Sequence, residues 1–244
     1  MMDRTAFFAA LRAGPMFKGR LTQAQVTGIE GLLDAFLTHG DGKDDTLAYG
    51  LATAYHETGA RMVPVREGFA TTDAGARRAV NKLAAQRGAG SAVARYARPA
   101  GPHGHVYYGR GHVQLTWLEN YRSAGPVAQH DLVSDPDKML DPVVSARVLW
   151  TGILSGQWSA TGHGLRHWLD KGDVIGARRT VNGTDKAGQI AGYHARFLEA
   201  VTAAGGWRQT TAPRTPEAMQ VTNPSSPARR SWWAALLAIL RGTP

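Results

Sequence analysis

The stretch "DDTLAYGLATAYHETGARMVPVREG", residues 44–68, contains a predicted helix, its end, and two glutamates ten positions apart. Two aspartates open the stretch, and apolar residues then recur at helical spacing, which predicts a helix with one buried stripe. The stripe consists of Leu47, Leu51, Ala54, Tyr55 and Thr58. Gly59 favours the end of the helix, and Pro64 cannot continue it. The chain is therefore predicted to fold back between Glu57 and Glu67.

The two glutamates can cooperate only if the chain folds back, because ten residues of straight helix span ~15 Å and place them on different faces. Glu57, in the last helical turn, meets the negative end of the helix dipole and is expected to have apolar neighbours. Both effects disfavour its ionised form, which suits a general acid. Glu67, beside Arg66 in a glycine-containing loop, is expected to stay ionised and suits a general base. The alternative is an ordinary pair of solvated charges.

His56 and Glu57 also begin a pattern that is found in zinc metalloproteases, but the rest of that pattern is missing. Such a motif needs a second histidine four residues after the first, so that both imidazoles share one helix face. Ala60 stands at that position. The histidines of "PHGH", with His112 and His130, have no carboxylate at metal-site spacing. We therefore expect neither a metal site nor a cofactor.

A second stretch, "YYGRGHVQLTWLENY" at residues 107–121, offers many uncharged hydrogen-bonding groups. Its glycines and short β-branched pieces favour a loop or a small hairpin over a helix. Amides and hydroxyls suit the hydroxyl groups of sugars, and Trp117 could stack on a sugar face. The polar candidates are Tyr107, Tyr108, Gln114, Thr116 and Asn120. The alternative is a glycine-rich hairpin that holds a buried glutamine and asparagine.

The rest of the chain predicts a mainly α domain with little sheet, over residues 1–207. A chain of 244 residues with 43% hydrophobic content can bury one sizeable core, and the absence of cysteine excludes disulfides and thiol nucleophiles. Thr22 and Gln25 form a capping-box pattern at the start of one predicted helix, and Gly40 suits its end. The further helices are predicted in residues 21–40, 74–97, 142–154, 165–181 and 185–206.

The C-terminal part has a different composition. Residues 208–230 contain four prolines and many serines and threonines, which is typical of a flexible linker. Residues 231–244 include "SWWAALLAIL" and are predicted to form a short cationic and apolar helix, whose ten-residue apolar stretch spans ~15 Å, half of a ~30 Å hydrocarbon core. Such a helix suits a membrane interface, or it docks on the domain. The membrane-contact candidates are Arg229, Arg230, Trp232, Trp233 and Arg241.

The formal net charge is +9, which favours an anionic partner such as nucleic acid, anionic lipid or an acidic cell-wall polymer. The N-terminus lacks the long apolar region and cleavage site of a secretory signal. No stretch reaches the roughly 18 apolar residues of a membrane span. The protein is therefore expected to accumulate in the cytoplasm.

Three motifs in order, "AYHETG", "YYGRGHVQLTWLENY" and "VNGT", resemble glycoside hydrolase family 19, which contains plant-type chitinases and lysozyme-like endolysins of bacteriophages. The likeness covers residues 20–205. The compact form without cysteines, with "PVREG" close behind "HETG", is similar to the endolysin branch. The resemblance implies a lysozyme-like, two-lobed, α-rich fold with a central substrate groove and minimal β structure. It also implies inversion at the anomeric carbon.

Carried over by position, the resemblance implies that Glu57 is the general acid, Glu67 the general base, and Thr116 a residue that holds the attacking water. The substrate-contact candidates are His56, Tyr108, Arg110, Gln114, Trp117, Asn120 and Asn182. Two departures stand out. Plant members place the second glutamate much further from the first. They also have an arginine near the position of Tyr193, for which Arg196 is a candidate replacement.

These features predict a phage or prophage endolysin that hydrolyses the glycan strands of peptidoglycan, acts as a monomer, and stays in the host cytoplasm until it is released to the wall. A chitinase would share every motif. A lytic transglycosylase would use one glutamate and no water. A nucleic-acid binder is supported only by charge and by the basic run of residues 75–88, and no nucleic-acid motif accompanies that run.

Overall fold

The computed structural model describes residues 2–207. The predicted linker and C-terminal helix, with the membrane-contact candidates Arg229, Arg230, Trp232, Trp233 and Arg241, lie outside the described residues. Within them the fold is mainly helical, as predicted. The helices are α1 (Arg4–Ala13), α2 (Gln23–His39), α3 (Asp44–Glu57), α4 (Asp73–Arg87), α5 (Ala92–Tyr96), α6 (Leu118–Ala128), α7 (Pro142–Ser155), α8 (Arg166–Leu169) and α9 (Ala187–Ala203). Short 3-10 segments lie at Glu67–Phe69, Pro136–Leu140 and Gly176–Thr180.

The single small sheet of the described residues pairs β1 (Val65–Arg66) with β2 (Arg110–Gly111) in antiparallel register. Val65 lies opposite Gly111, and Arg66 lies opposite Arg110. Within the glycine-rich stretch, Arg110 and Leu115 form an antiparallel bridge, so residues 110–115 make the small hairpin that was expected there. We call this turn, together with the paired strands β1 and β2, the hairpin. The two strands tie the segment after α3 to a segment more than forty residues further along the chain.

Helix α3 lies at the centre of the larger of two lobes. Every residue from Thr46 to Ala54 is buried, so this part of α3 is covered on all sides and not only along the predicted stripe. It packs against α9, and α2 packs against α7. Gly50 allows a close approach, since a Cβ there would lie 2.0 Å from the ring of Trp150. The indole of Trp150 in turn donates to the carbonyl of Leu32 at 3.0 Å. This packing holds the C-terminal end of α3 in a rigid frame.

A second, smaller core lies under α4 and α5. Its buried members are Ala76, Val80, Val93, Val106 and Tyr108. The segment before β2 contributes two of them, so the hairpin lies beside this small lobe. Two separate cores agree with the two-lobed fold that the resemblance implies.

Local signals account for the helix ends that were predicted. Thr22 and Gln25 form the capping box at the start of α2, and the N–H of Gly40 bonds the carbonyl of Phe36 at its end. Asp141 accepts hydrogen bonds from the N–H groups of residues 143 and 144 at the start of α7. These ends follow from groups within a few residues of each other, which sequence patterns capture well.

Two predicted helices are broken in the structure. The helix predicted for residues 74–97 splits at Gly88, whose φ of 84° favours glycine, and α5 restarts after Ser91. The helix predicted for residues 165–181 is α8 followed by a 3-10 turn. Gly172 has φ of 70°, and the side chain of Asp173 accepts from the N–H of Gly176 at 2.6 Å. Helices α1 and α6 were not predicted.

No helix within residues 2–207 has the length and hydropathy needed to cross a membrane.

The packing of the described domain extends to its last residue, because Trp207 is buried and its N–H bonds the carboxylate of Asp44 at 2.6 Å.

Candidate active site

Glu57 is the last residue of α3, and the chain folds back immediately after it, as predicted. Gly59 has φ of 56°, and Ala60 and Met62 also have positive φ values. The N–H of Ala60 bonds the carbonyl of Tyr55 at 2.7 Å, which closes the turn. These bonds direct the chain from the end of α3 into β1.

Glu67 follows β1 directly and is placed by the hairpin. Its N–H donates to the carbonyl of Gly109 at 2.7 Å, which continues the pairing of the two strands by one residue. The backbone then turns sharply, since Gly68 has φ of 68°. The position of Glu67 therefore depends on β2 as much as on its own segment.

Two donors hold the carboxylate of Glu67. The hydroxyl of Tyr96, on α5, donates to Oε1 at 2.7 Å, and the N–H of Gly109 donates to Oε2 at 2.9 Å. Burial and then the neighbouring charge of Glu67 raise the pKa of Tyr96 far above its usual value, so the phenol stays protonated and remains a donor. Two donors, one on each oxygen, hold the carboxylate in one orientation. Glu67 is thus fastened to the small lobe.

The closest charged neighbour of Glu57 is a buried guanidinium. Arg178 Nη1 lies 2.7 Å from Glu57 Oε1, and the two side chains are 1% and 13% exposed. The contact is an ion pair without hydrogen-bond alignment, since neither atom has a hydrogen-bond partner. Arg178 Nε donates to the carbonyl of Asp185 at 3.1 Å. The expectation of apolar neighbours around Glu57 did not include this cation, which the 3-10 turn at Gly176–Thr180 brings in.

Sequence reasoning missed Arg178. The signal available was its place four residues before Asn182, in the segment of the "VNGT" motif. Arginine is usually exposed, so a fully buried one is not expected from a pattern. Arg196, the candidate replacement for the arginine that plant members have near position 193, does not pair with Glu57. It is exposed and pairs with Glu199 at 3.0 Å.

His56 directly precedes Glu57, and its ring lies near that of Tyr193. The His56 ring is 6.4 Å from that of Tyr193, which also packs against Tyr55 at 4.7 Å. Burial lowers the pKa of His56, and the charge of Glu57 opposes that shift. His56 is half-buried, so its placement beside Glu57 keeps it a candidate for substrate contact.

Three of the predicted polar residues are bonded to the hairpin and the turn that follows it. The amide of Gln114 donates to the carbonyls of Val65 at 3.0 Å and Gly111 at 3.2 Å. The hydroxyl of Thr116 donates to the carbonyl of Gln114 at 2.8 Å, and the amide of Asn120 donates to the carbonyl of Thr116 at 2.8 Å. The Thr116 oxygen therefore keeps its lone pairs for an incoming donor such as water.

Trp117 and Asn182 remain partly exposed. Trp117 has φ of 80° and lies 5.3 Å, centroid to centroid, from Tyr96, the residue that holds Glu67. The N–H of Asn182 bonds the carbonyl of Arg178 at 3.0 Å. The structure thus places Trp117 near the base candidate and Asn182 on the segment that supports the acid candidate.

Tyr108 and Arg110 need a correction, because they are 0% and 1% exposed and no sugar can reach them. Arg110 Nε lies 2.7 Å from a carboxylate oxygen of Asp137, and its guanidinium carbon lies 3.6 Å from the ring centroid of Tyr108. The hydroxyl of Tyr108 donates to Asp73 at 2.8 Å. Arg66, next to Glu67, also pairs with Asp137 at 2.6 Å. These residues brace the hairpin against both lobes.

The described residues contain no group of three or more His, Asp or Glu side chains that could hold a metal ion. What they do contain is one carboxylate fastened to each of two lobes, Glu57 on the large one and Glu67 on the small one. A helical, two-lobed domain with this pair has the architecture of the lysozyme-like glycoside hydrolases.

Comparison with known proteins assigns the family. The profile of the family described as chitinase class I matches residues 23–189. The chain belongs to this family, glycoside hydrolase family 19.

The matched relatives are plant proteins. The inactive chitinase-like protein 1 of Hevea brasiliensis is 36% identical over 83 residues, which are 28% of this chain and 26% of that protein. An endochitinase of Persea americana is 34% identical over 98 residues, which are 39% of this chain and 27% of that protein. The chain spans about a quarter of the length of these curated relatives. Because one of them is named inactive, the activity of this chain has to be argued from its site.

One solved structure supports the fold. Chitinase C from Streptomyces griseus aligns with 85% of this chain and 79% of its own, with a TM-score of 0.50 and 22% identity. At this identity the likeness shows the fold alone.

Proposed function

We propose that the protein is a phage or prophage endolysin, which hydrolyses the glycan strands of bacterial peptidoglycan with inversion and so lyses the host cell. The observation that supports catalysis best is the pair Glu57 and Glu67, one on each lobe, each with ordered polar partners. A glycan that lies between the lobes would have one carboxyl on either side of the scissile bond. Inverting enzymes use this arrangement, with the carboxyls roughly 6.5–9.5 Å apart.

Glu57 is the general acid in this proposal. Its proton goes to the glycosidic oxygen as the bond from that oxygen to the anomeric carbon breaks. The carboxylate left behind is then stabilised by the Arg178 guanidinium, 2.7 Å away.

Glu67 is the general base. A water molecule attacks the anomeric carbon from the face opposite the leaving oxygen, and its proton goes to Glu67. The water can donate its other O–H to the lone pairs of Thr116, whose own proton is already committed to the carbonyl of Gln114. Tyr96 and Gly109 keep the Glu67 carboxylate aimed while its charge changes.

Peptidoglycan is favoured over neutral polymers by charge. The chain carries a formal net charge of +9, and the peptide stems of the bacterial wall carry carboxylates. The proposal further includes action as a monomer and storage in the host cytoplasm until release to the wall.

The second candidate is a chitinase acting on N-acetylglucosamine polymers. It is favoured by the family profile and by the names of the plant relatives. The two candidates share the catalytic pair and differ in the polymer that is bound.

One experiment separates these candidates. Purified peptidoglycan and chitin are digested in parallel, and the products are analysed by mass spectrometry. Reducing ends from hydrolysed peptidoglycan are the expected result. Products from chitin alone would support the chitinase, anhydro ends would indicate a transglycosylase, and freed peptides would indicate an amidase.

A further inference from the structure

An exposed arginine lies on an exposed aromatic ring, and both residues are close in sequence to the two catalytic candidates. The guanidinium carbon of Arg61 is 4.0 Å from the ring centroid of Phe69. Arg61 is exposed, and Phe69 is 47% exposed. Only three large hydrophobic residues in the described part of the chain are exposed, and Phe69 is one of them. We call this pair the Arg61–Phe69 platform.

The backbone places the platform next to both glutamates. Phe69 lies two residues after Glu67, and its ring rests on Gly59, two residues after Glu57. A Cβ at Gly59 would lie 2.7 Å from Cζ of the ring and 3.0 Å from Arg61 Nη1, so only glycine allows this approach. The platform therefore closes the loop that joins the acid candidate to the base candidate.

Phe69 adopts this position against two ordinary preferences. Its φ of 56° is left-handed, which is uncommon for a bulky residue, and its ring stays in contact with solvent. Strained backbone is concentrated at active sites and ligand-binding sites.

Arg61 is a cation without an acidic partner among the described residues. The one hydrogen bond given by its guanidinium is long, from Nη1 to the carbonyl of Thr58 at 3.4 Å. By contrast, Arg66, Arg110 and Arg178 each pair with a carboxylate. A guanidinium whose face lies on a ring still offers the N–H groups of its edge, which match a carboxylate in two parallel bonds.

Beside the platform lies a surface cavity of about 340 Å³, large enough for a carboxylate and its neighbouring atoms. Its lining includes Arg61, Pro64, Arg66, Phe69 and Thr71. Arg66 adds positive charge to the cavity, although its guanidinium is already paired with Asp137.

We infer that the Arg61–Phe69 platform binds a carboxylate of the peptide stem of peptidoglycan and thereby sets the preference for this polymer over neutral glycans. This inference rests on the proposed function. It names a charged contact for the peptide stem, separate from the groups that carry out the hydrolysis.

The test compares two forms of one polymer. Purified peptidoglycan is used as isolated and after carbodiimide coupling to ammonia, which converts its carboxylates to neutral amides. The ratio of kcat/KM on the native polymer to that on the amidated polymer is measured for the wild type, Arg61→Gln and Arg61→Lys. Arg12→Gln is the matched control, since Arg12 is also exposed and lies over a phenyl ring, that of Phe8, at 6.0 Å.

We expect Arg61→Gln to lower this ratio about tenfold, as for the loss of a charge-assisted pair, and Arg61→Lys to lower it less. Arg12→Gln should leave the ratio unchanged. Suppose that the wild type degrades native peptidoglycan. If Arg61→Gln then loses kcat/KM equally on both polymers, or loses none, the inference about the platform is overturned and the proposed function stands. A wild type that degrades only chitin would overturn both the platform and the proposed function. Thermal unfolding of each variant checks that the fold is kept.

Discussion

At the scale of single residues, the site depends on two carboxylates with different partners. Glu57 faces a buried guanidinium, whereas Glu67 accepts hydrogen bonds from a phenol and a backbone N–H. Neither set of partners consists of sequence neighbours. The chemistry proposed for each glutamate can be tested by changing the carboxylate or by changing its partner.

Replacing either carboxylate by an amide should remove the proton transfer and keep most contacts. Glu57→Gln and Glu67→Gln are each expected to lower kcat on purified peptidoglycan by about 10²- to 10⁴-fold, because general acid–base catalysis contributes that much. Thr116→Ala should cost less, since Thr116 only positions the water. Activity is measured by the release of reducing ends, with circular dichroism as the folding control. A Gln variant that is folded and substantially active would refute the role of that glutamate.

Arg178 is expected to act through Glu57, as a positioning residue. Because its guanidinium would stabilise the carboxylate that Glu57 becomes after proton transfer, Arg178→Gln should lower kcat more than it changes KM. Arg178→Lys should restore part of the rate. The other charged groups near this site, His56, Asp185 and Lys186, remain in each variant.

The control for Arg178 is its neighbour Arg179, which lies over the ring of Trp168 at 5.4 Å and does not pair with Glu57. Arg179→Gln should keep the wild-type kcat and KM. If Arg178→Gln loses stability but its folded fraction keeps the wild-type kcat, Arg178 serves only the fold.

At the scale of elements, the hairpin is the junction between the lobes. His112, directly after β2, shows how closely the junction is packed. Its N–H donates to the hydroxyl of Ser145 on α7 at 2.8 Å, and its Nε2 lies 3.3 Å from the carbonyl of Met62 in the segment after α3. His112 thus connects three elements from within the core.

The burial of His112 predicts a dependence of stability on pH. Burial lowers its pKa from the usual 6.5 to about 4, so the folded protein resists a proton that the unfolded chain accepts. The neutral ring therefore makes its full contribution to the free energy of unfolding above pH 6.5, and this contribution is lost as the pH falls towards 4. The thermal midpoint should fall over this range, and it should fall less in His112→Gln.

The exposed His130 provides the control for this measurement, and His130→Gln should behave like the wild type. Burial also lowers the pKa of His56 and His194, so part of the dependence should remain in His112→Gln. Equal slopes of thermal midpoint against pH in His112→Gln and the wild type would show that His112 does not contribute.

At the scale of the whole molecule, the described domain carries the proposed catalytic apparatus, and residues 208–244 carry a different composition. Deleting residues 209–244 is predicted to leave hydrolysis of purified peptidoglycan nearly unchanged. It should weaken the killing of intact cells and the binding of anionic vesicles, because arginine and tryptophan favour the membrane interface. Hydrolysis, killing and vesicle co-sedimentation are measured on both proteins.

The contrasting result is equally clear. If the shortened protein is unstable, or inactive on purified peptidoglycan, residues 209–244 belong to the catalytic fold and the membrane prediction is wrong. Substituting both Trp232 and Trp233 by alanine in the full chain should weaken killing and vesicle binding in the same way, but less than the deletion does.

The sequence alone determined the features that depend on short-range chemistry. The capping box of Thr22 and Gln25, and the fold-back after Glu57, follow from groups within a few residues of one another. The order of three motifs was enough to indicate the family, which the profile over residues 23–189 then showed. Propensities and caps act locally, so a pattern captures them.

Tertiary structure alone decided which side chains meet. Arg178 reaches Glu57 across 121 positions of sequence, from the 3-10 turn at Gly176–Thr180, which packs against α8 and α9. Tyr108 and Arg110 stand in a motif rich in candidate sugar contacts, yet both are buried. The hydroxyl of Tyr108 bonds Asp73, and the guanidinium of Arg110 pairs with Asp137. The same residue types can line a groove or brace a lobe. The difference is burial, which depends on how the elements pack and which no local pattern specifies.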